Sequence, residues 1–140
     1  KDIVVEGVGQ SSLDDMVALY ADKEHRIITP EPRPEAGGFF RSDHFPLVKR
    51  GVPMLVAYSG DDMVKGGKAA GEAFAKDYTD NHYHQPSDEW SASWDMGGLV
   101  EDATLYYQIG SALANSHQWP TWRDSSEFKA ARDTTGTERK

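Results

Sequence analysis

Two short segments around three of the five histidines carry the chemical interest of this 140-residue sequence. The first is HYHQPSDE, residues 82–89. In an extended segment His82 and His84 would point to the same face. Neutral imidazole is a common zinc ligand, and its second ring nitrogen usually needs a carboxylate or carbonyl partner. Asp88 is one candidate for that partner, and a backbone carbonyl is another. A pair of surface histidines ahead of a turn is the commoner outcome, because H-x-H arises often by chance. The second segment is RSDHF, Arg41 to Phe45. Ser42 or Asp43 there reads first as a helix cap, its side-chain oxygen taking a free N–H. The functional alternative puts Asp43 and His44 at a pocket rim, since α/β folds place their sites at the ends of parallel strands. A Ser-His-Asp arrangement using Ser42 or Ser87 is weak, because neither serine lies in a G-x-S-x-G elbow.

The elements that must position these residues follow from the pattern along the chain. DIVVEGV, residues 2–8, reads as a strand. Ser11 or Ser12 can cap a helix, with Asp14 or Asp15 as the capping-box partner. Leu13, Met16, Val17 and Tyr20 then repeat at helical spacing, to an end near Lys23 to His25. Arg26 to Thr29 is a second short strand. Residues 30–38 hold three prolines and two glycines and form a loop. A short helix through Phe45, Leu47 and Val48 precedes a buried strand, Pro53 to Tyr58. Strand, helix, strand, helix, strand is the α/β pattern. Residues 60–81 are assigned as a long excursion, part of it helical over Gly67 to Lys76. Asp95 can cap a last long helix whose stripe is Leu99, Ala103, Tyr106, Gly110 and Leu113. Residues 1–118 form the body. Residues 119–140 form a tail clamped by Trp119 and Trp122, frayed from Thr134 onward.

Composition narrows the function classes. There are 15 Lys+Arg against 23 Asp+Glu, a formal net charge of −8. An acidic chain repels phosphate backbones, which disfavours nucleic-acid binding. No run of about 18 apolar residues exists to span a membrane as a helix. With 0 cysteines, disulfides, thiolate metal sites and a cysteine nucleophile are excluded. The chain opens at Lys1 without a methionine, as a processed product or a piece of a longer chain would.

RSDHFPLVKRGVP, then YHQPSDE, then SWDMGGLVEDATLYY resembles segments of the co-catalytic zinc aminopeptidases, metallopeptidase family twenty-eight. That family also contains glutamate carboxypeptidase-like proteins and glutaminyl cyclases. WPTWRDSSEFKAARD is similar to the tail of secreted bacterial members. The resemblance covers nearly the whole chain, but only the C-terminal part of the family's catalytic domain. It implies a mixed, mostly parallel sheet with helices on both faces. It implies two zinc ions held by one His, a bridging Asp, a Glu, a further Asp and a last His, with a separate Glu as general base. The last His corresponds to His84. His82 has no counterpart. Asp43 and His44 match an element beside the metals that supports rather than ligates, and Asp88 falls in the same surroundings. Some members polarise the substrate carbonyl with a tyrosine shortly before S-D-H; here Phe39 and Phe40 occupy that stretch and offer no hydroxyl.

The remaining donors of the family precede the segment matching Lys1, and neither an H-x-D nor an E-E pair replaces them. A catalytic zinc takes about three protein ligands and an open position. The expected parent is therefore a zinc aminopeptidase acting on peptides, secreted or periplasmic. In it, zinc lowers the pKa of bound water toward about 7 and polarises the scissile carbonyl. The N-terminal part of the same domain would complete the site, and the isolated chain would be inactive. Two alternatives stand beside this reading: a non-catalytic binding or dimerisation module on the same fold, and a glutaminyl cyclase-like acyltransferase.

Overall fold

The computed structural model describes residues 1–136. Its elements run β1 Asp2–Val5, α1 Leu13–Lys23, β2 Ile27–Pro30, α2 Gly38–Arg41, α3 Phe45–Val48, β3 Ala57–Ser59, α4 Gly67–Asn81, α5 Gly97–Ala114 and α6 Lys129–Thr135, with a 3-10 turn at Pro34–Ala36. The α/β pattern expected from the sequence is present. The sheet is small and mixed, in the order β2-β1-β3. β1 pairs with β2 in parallel, Ile3 opposite Ile28, and with β3 antiparallel, Val4 opposite Tyr58.

Alternation along β1 sends Ile3 and Val5 to one face. There they join Val17 and Ala21 of α1, Ala57 of β3, and Leu105 and Ile109 of α5 in the main core. Val17 and Ala21 are one helical repeat apart, so α1 lays a single stripe on the sheet. Its start follows the capping-box logic. Ser11 Oγ accepts from Leu13 N–H at 3.2 Å, and Asp14 accepts from the Gly9 and Ser11 amides at 2.9 and 3.3 Å.

α5 turns Tyr106 and Leu113 of the expected stripe toward the sheet, but not the rest of it. Leu99, Ala103 and Gly110 are exposed, while Leu105 and Ile109 are buried with Asp102 half-buried beside them. The reason is Arg26. Its side chain is buried just before β2, and its guanidinium Nη2 donates to Asp102 at 2.7 Å and to Ser59 Oγ at 3.1 Å. Asp102 also accepts from Ser59 N–H at 2.9 Å. A buried cation thus fixes which face of α5 meets the sheet. Tyr106 adds a second link, accepting from Ala57 N–H at 2.7 Å and donating to Ala57 C=O at 3.0 Å.

The excursion over residues 60–81 is mostly helix. α4 runs through all of Gly67–Asn81, yet Gly71 is its one buried residue, so no apolar stripe announces it. Gly71 is required where it stands, because a Cβ would lie 2.0 Å from the Asp61 carbonyl oxygen. The cap position of α5 is Met96 rather than the expected Asp95, which stands one residue earlier and accepts from Gly97 N–H at 2.9 Å.

A second cluster joins Phe39 of α2, Val48 of α3, and Trp122 and Phe128 beyond α5. Trp122 is 5% exposed and its indole N–H donates to the Gly51 carbonyl at 3.0 Å. Thr121 and Arg123 pair with the backbone of Ser12 and Gln10. Trp119 does not share this burial; it is 71% exposed. Thr134 and Thr135, expected in a frayed end, belong to α6, with Thr135 donating to the Arg50 carbonyl at 3.1 Å. Residues 137–140 of that expected end lie outside the described residues. Among the described residues no helix is long and apolar enough to cross a membrane.

Candidate functional site

His84 is set by what happens where α4 ends. After Asn81 the chain folds back on the last helical turn instead of extending. The His82 and Tyr83 amides both donate to the Tyr78 carbonyl, at 2.9 and 2.8 Å. Gln85 N–H donates to the His82 carbonyl at 2.8 Å, and Asp88 N–H to the Gln85 carbonyl at 3.0 Å. The Ser87 hydroxyl donates to the Asn81 carbonyl at 2.8 Å. The Tyr78 hydroxyl reaches across and donates to Asp88 at 2.9 Å.

This geometry corrects the extended reading of HYH. His82 is the residue capping α4, and His84 has φ +59°, in the left-handed region. Strand alternation does not relate the two rings. The His82 ring stacks on Tyr78, with centroids 6.4 Å apart, and its Nε2 lies 3.8 Å from Asp77. The His84 ring is exposed and stands edge-on to Tyr83, centroids 4.0 Å apart at 75°. Asp88 is not the partner of His84 but of Tyr78, whose hydroxyl it pushes up in pKa through that hydrogen bond.

The RSDHF element also differs from the capping reading. Ser42 donates its hydroxyl to the Gly38 carbonyl at 2.7 Å, closing the end of α2 rather than opening α3. His44 holds the cap position of α3 without a side-chain cap bond. Asp43 is exposed and makes no hydrogen bond or ion pair among the described residues. His44 is half-buried against Phe39, with ring centroids 4.7 Å apart. Its Nε2 is buried without a hydrogen-bond partner, and burial lowers its pKa. Among the described residues no hydrogen bond or ion pair joins Asp43 or His44 to His84 or Asp88.

The ends of the parallel strands hold a polar group that motif reading passed over. Glu6 follows β1 and Glu31 follows β2. Burial, then the charge of Glu31, raises the pKa of Glu6. Tyr58 donates its hydroxyl to Glu6 at 3.4 Å. Burial, then the charge of Glu6, pushes Tyr58 up to about 12. The signal available in the sequence was position: each glutamate directly follows an apolar run.

Among the described residues, no three His, Asp or Glu side chains are grouped so as to hold a metal ion. His84 offers one exposed imidazole donor, where a catalytic zinc takes about three protein ligands. The donor set within these residues therefore does not fit a two-zinc centre.

Neither the curated proteins nor the solved structures searched gave a match to this chain. Compared with known families, residues 1–108 match Peptidase family M28. The matched stretch contains β1 through most of α5, with both RSDHF and the His84 turn inside it. On that match, the chain belongs to peptidase family M28, a family of metallopeptidases.

Proposed function

We propose that this chain is the C-terminal part of the catalytic domain of a zinc aminopeptidase, removing N-terminal residues from peptides outside the cytoplasm. One observation carries the reading. Within the family match, the imidazole of His84 is exposed on a turn held by six hydrogen bonds, four of them to the end of α4, rather than packed in the core. A ligand that completes a site with donors from elsewhere needs that presentation. In this reading His84 is the last donor to one of two zinc ions, and the remaining donors come from the N-terminal part of the same domain. Asp43, His44 and Asp88 stand near the centre without ligating it.

A second observation supports the incomplete-site reading. The segment following the His84 turn exposes Trp90, Trp94, Met96, Leu99 and Val100 in sequence. Large apolar side chains left in water are costly, and a segment that exposes several of them suits a surface that another element covers. The isolated chain, lacking the other donors, is inactive in this account.

The test uses the complete protein, wild type against His84→Ala, with an aminoacyl anilide as substrate and an N-terminal glutaminyl peptide as a parallel substrate. The expected result is anilide hydrolysis in the wild type, lost in the variant by several orders of magnitude. Lactam formation without hydrolysis would favour the cyclase. Equal hydrolysis by both proteins would refute the assignment of His84.

A further inference from the structure

We infer that Tyr78 is a positioning residue for His84, acting through Asp88 and Tyr83. The role rests on the reading of His84 as a donor; the conformational claim stands without it.

The inference begins with the backbone. A non-glycine residue at φ +59° is uncommon and persists only where its surroundings over-determine it. His84 has no core contact to do so, being exposed on an exposed turn. What holds the turn is local, and half of its hydrogen bonds converge on one residue. The Tyr78 carbonyl takes two amides, those of His82 and Tyr83. The Tyr78 hydroxyl ties down Asp88, ten residues away, so the side chain of Tyr78 spans the whole segment that contains His84. The Tyr78 ring also lies 6.0 Å from the Tyr83 ring, which in turn stands 4.0 Å from the His84 ring. The backbone closure restricts where the His84 Cα can be, and the ring contacts restrict where its imidazole points.

Two different parts of Tyr78 thus do separable work. The hydroxyl closes the turn and the ring orients the imidazole. Tyr78→Phe removes only the first, Tyr78→Leu removes both, and Asp88→Ala removes the same closure from its other end.

The experiment follows amide hydrogen exchange and the His84 imidazole resonances by NMR in the 140-residue chain, without metal. Tyr78→Phe and Asp88→Ala should each speed exchange at Gln85 and at the amide of residue 88 by about threefold relative to each residue's unprotected rate, the loss of one exposed hydrogen bond. Amides of β1 should stay unchanged. The two substitutions together should do no more than either alone, because they break one bond. A general loss of packing would not show that non-additivity. Tyr78→Leu should in addition shift the His84 ring signals, which Tyr78→Phe leaves in place. Unchanged exchange in both hydroxyl-pair variants, fully additive effects, or His84 signals indifferent to Tyr78→Leu would each overturn the inference. The donor reading fails separately: zinc content of the complete protein unaffected by His84→Ala would remove it while leaving the role of Tyr78 in the turn intact.

Discussion

Removing the carboxylate of Asp102 should destabilise the chain more than any other single surface-side change on α5. Asp102 takes three hydrogen bonds: from Arg26 Nη2 at 2.7 Å, from Ser59 N–H at 2.9 Å and from Ser59 Oγ at 2.9 Å. Arg26 is 8% exposed, and its Nε and Nη1 already lack hydrogen-bond partners. Glu24 stands 3.6 Å from Nη1, within ion-pair range but beyond a hydrogen bond. In Asp102→Ala the guanidinium keeps its burial and loses its main counter-charge. Breaking one side of a buried pair costs about 3–5 kcal/mol. Asp102 is itself partly open to solvent, and Glu24 retains some compensation, so the lower end applies, about 3 kcal/mol. That is a large share of the roughly 5–15 kcal/mol a domain has in total. The assay is urea unfolding followed by circular dichroism, with the slope m compared between variants. Replacing both partners, as Arg26→Met with Asp102→Leu, should recover most of the loss, since neither charge is then buried alone. A cost below about 1 kcal/mol in Asp102→Ala, or a double variant as unstable as the single, would refute the account of how α5 is oriented.

Three further outcomes are expected. Trp122 is the buried tryptophan of the described four, the others being half-exposed or more; Trp122→Phe should therefore remove the blue-shifted, iodide-protected emission that the other single Trp→Phe changes leave. It should also cost about 1–2 kcal/mol in urea unfolding, because the buried Gly51 carbonyl loses its donor. Burial holds the folded-state pKa of His44 below its ordinary value, so the unfolded chain binds the proton first. Stability should then fall as pH drops from about 7 to about 5.5, and His44→Phe should flatten that slope while the wild type retains it. Zinc titrated into the 140-residue chain in a calorimeter should show no tight 1:1 binding, because no three donors are grouped among the described residues. A saturating high-affinity isotherm would contradict this.

The elements that bury an apolar stripe were legible in the sequence. α1 announces itself through Leu13, Val17 and the Ser11–Asp14 pair, and β1 through its β-branched run. α4 is legible only in part: the sequence places helix over Gly67 to Lys76, but not its continuation to Asn81, because a helix that buries only Gly71 carries no periodic signal. For α5 the sequence places the helix and, through Tyr106 and Leu113, only part of its buried face. Its apolar positions fit several stripes, and the choice among them was made by Asp102, a charged residue that hydrophobic periodicity assigns to the outside. At the site, the importance of His84 came from a motif and its resemblance, not from its spacing to His82. Its left-handed backbone and its dependence on Tyr78 have no local code: they emerge only once the last turn of α4 exists to fold back upon. Asp88 lies in the expected turn but bonds to Tyr78 instead of His84 for the same reason.

Zinc content per molecule of the complete protein, measured by atomic emission for wild type and His84→Ala after identical dialysis, decides whether His84 is a metal donor. About two zinc ions are expected in the wild type and about one fewer in the variant. Equal zinc in the two proteins would contradict that role.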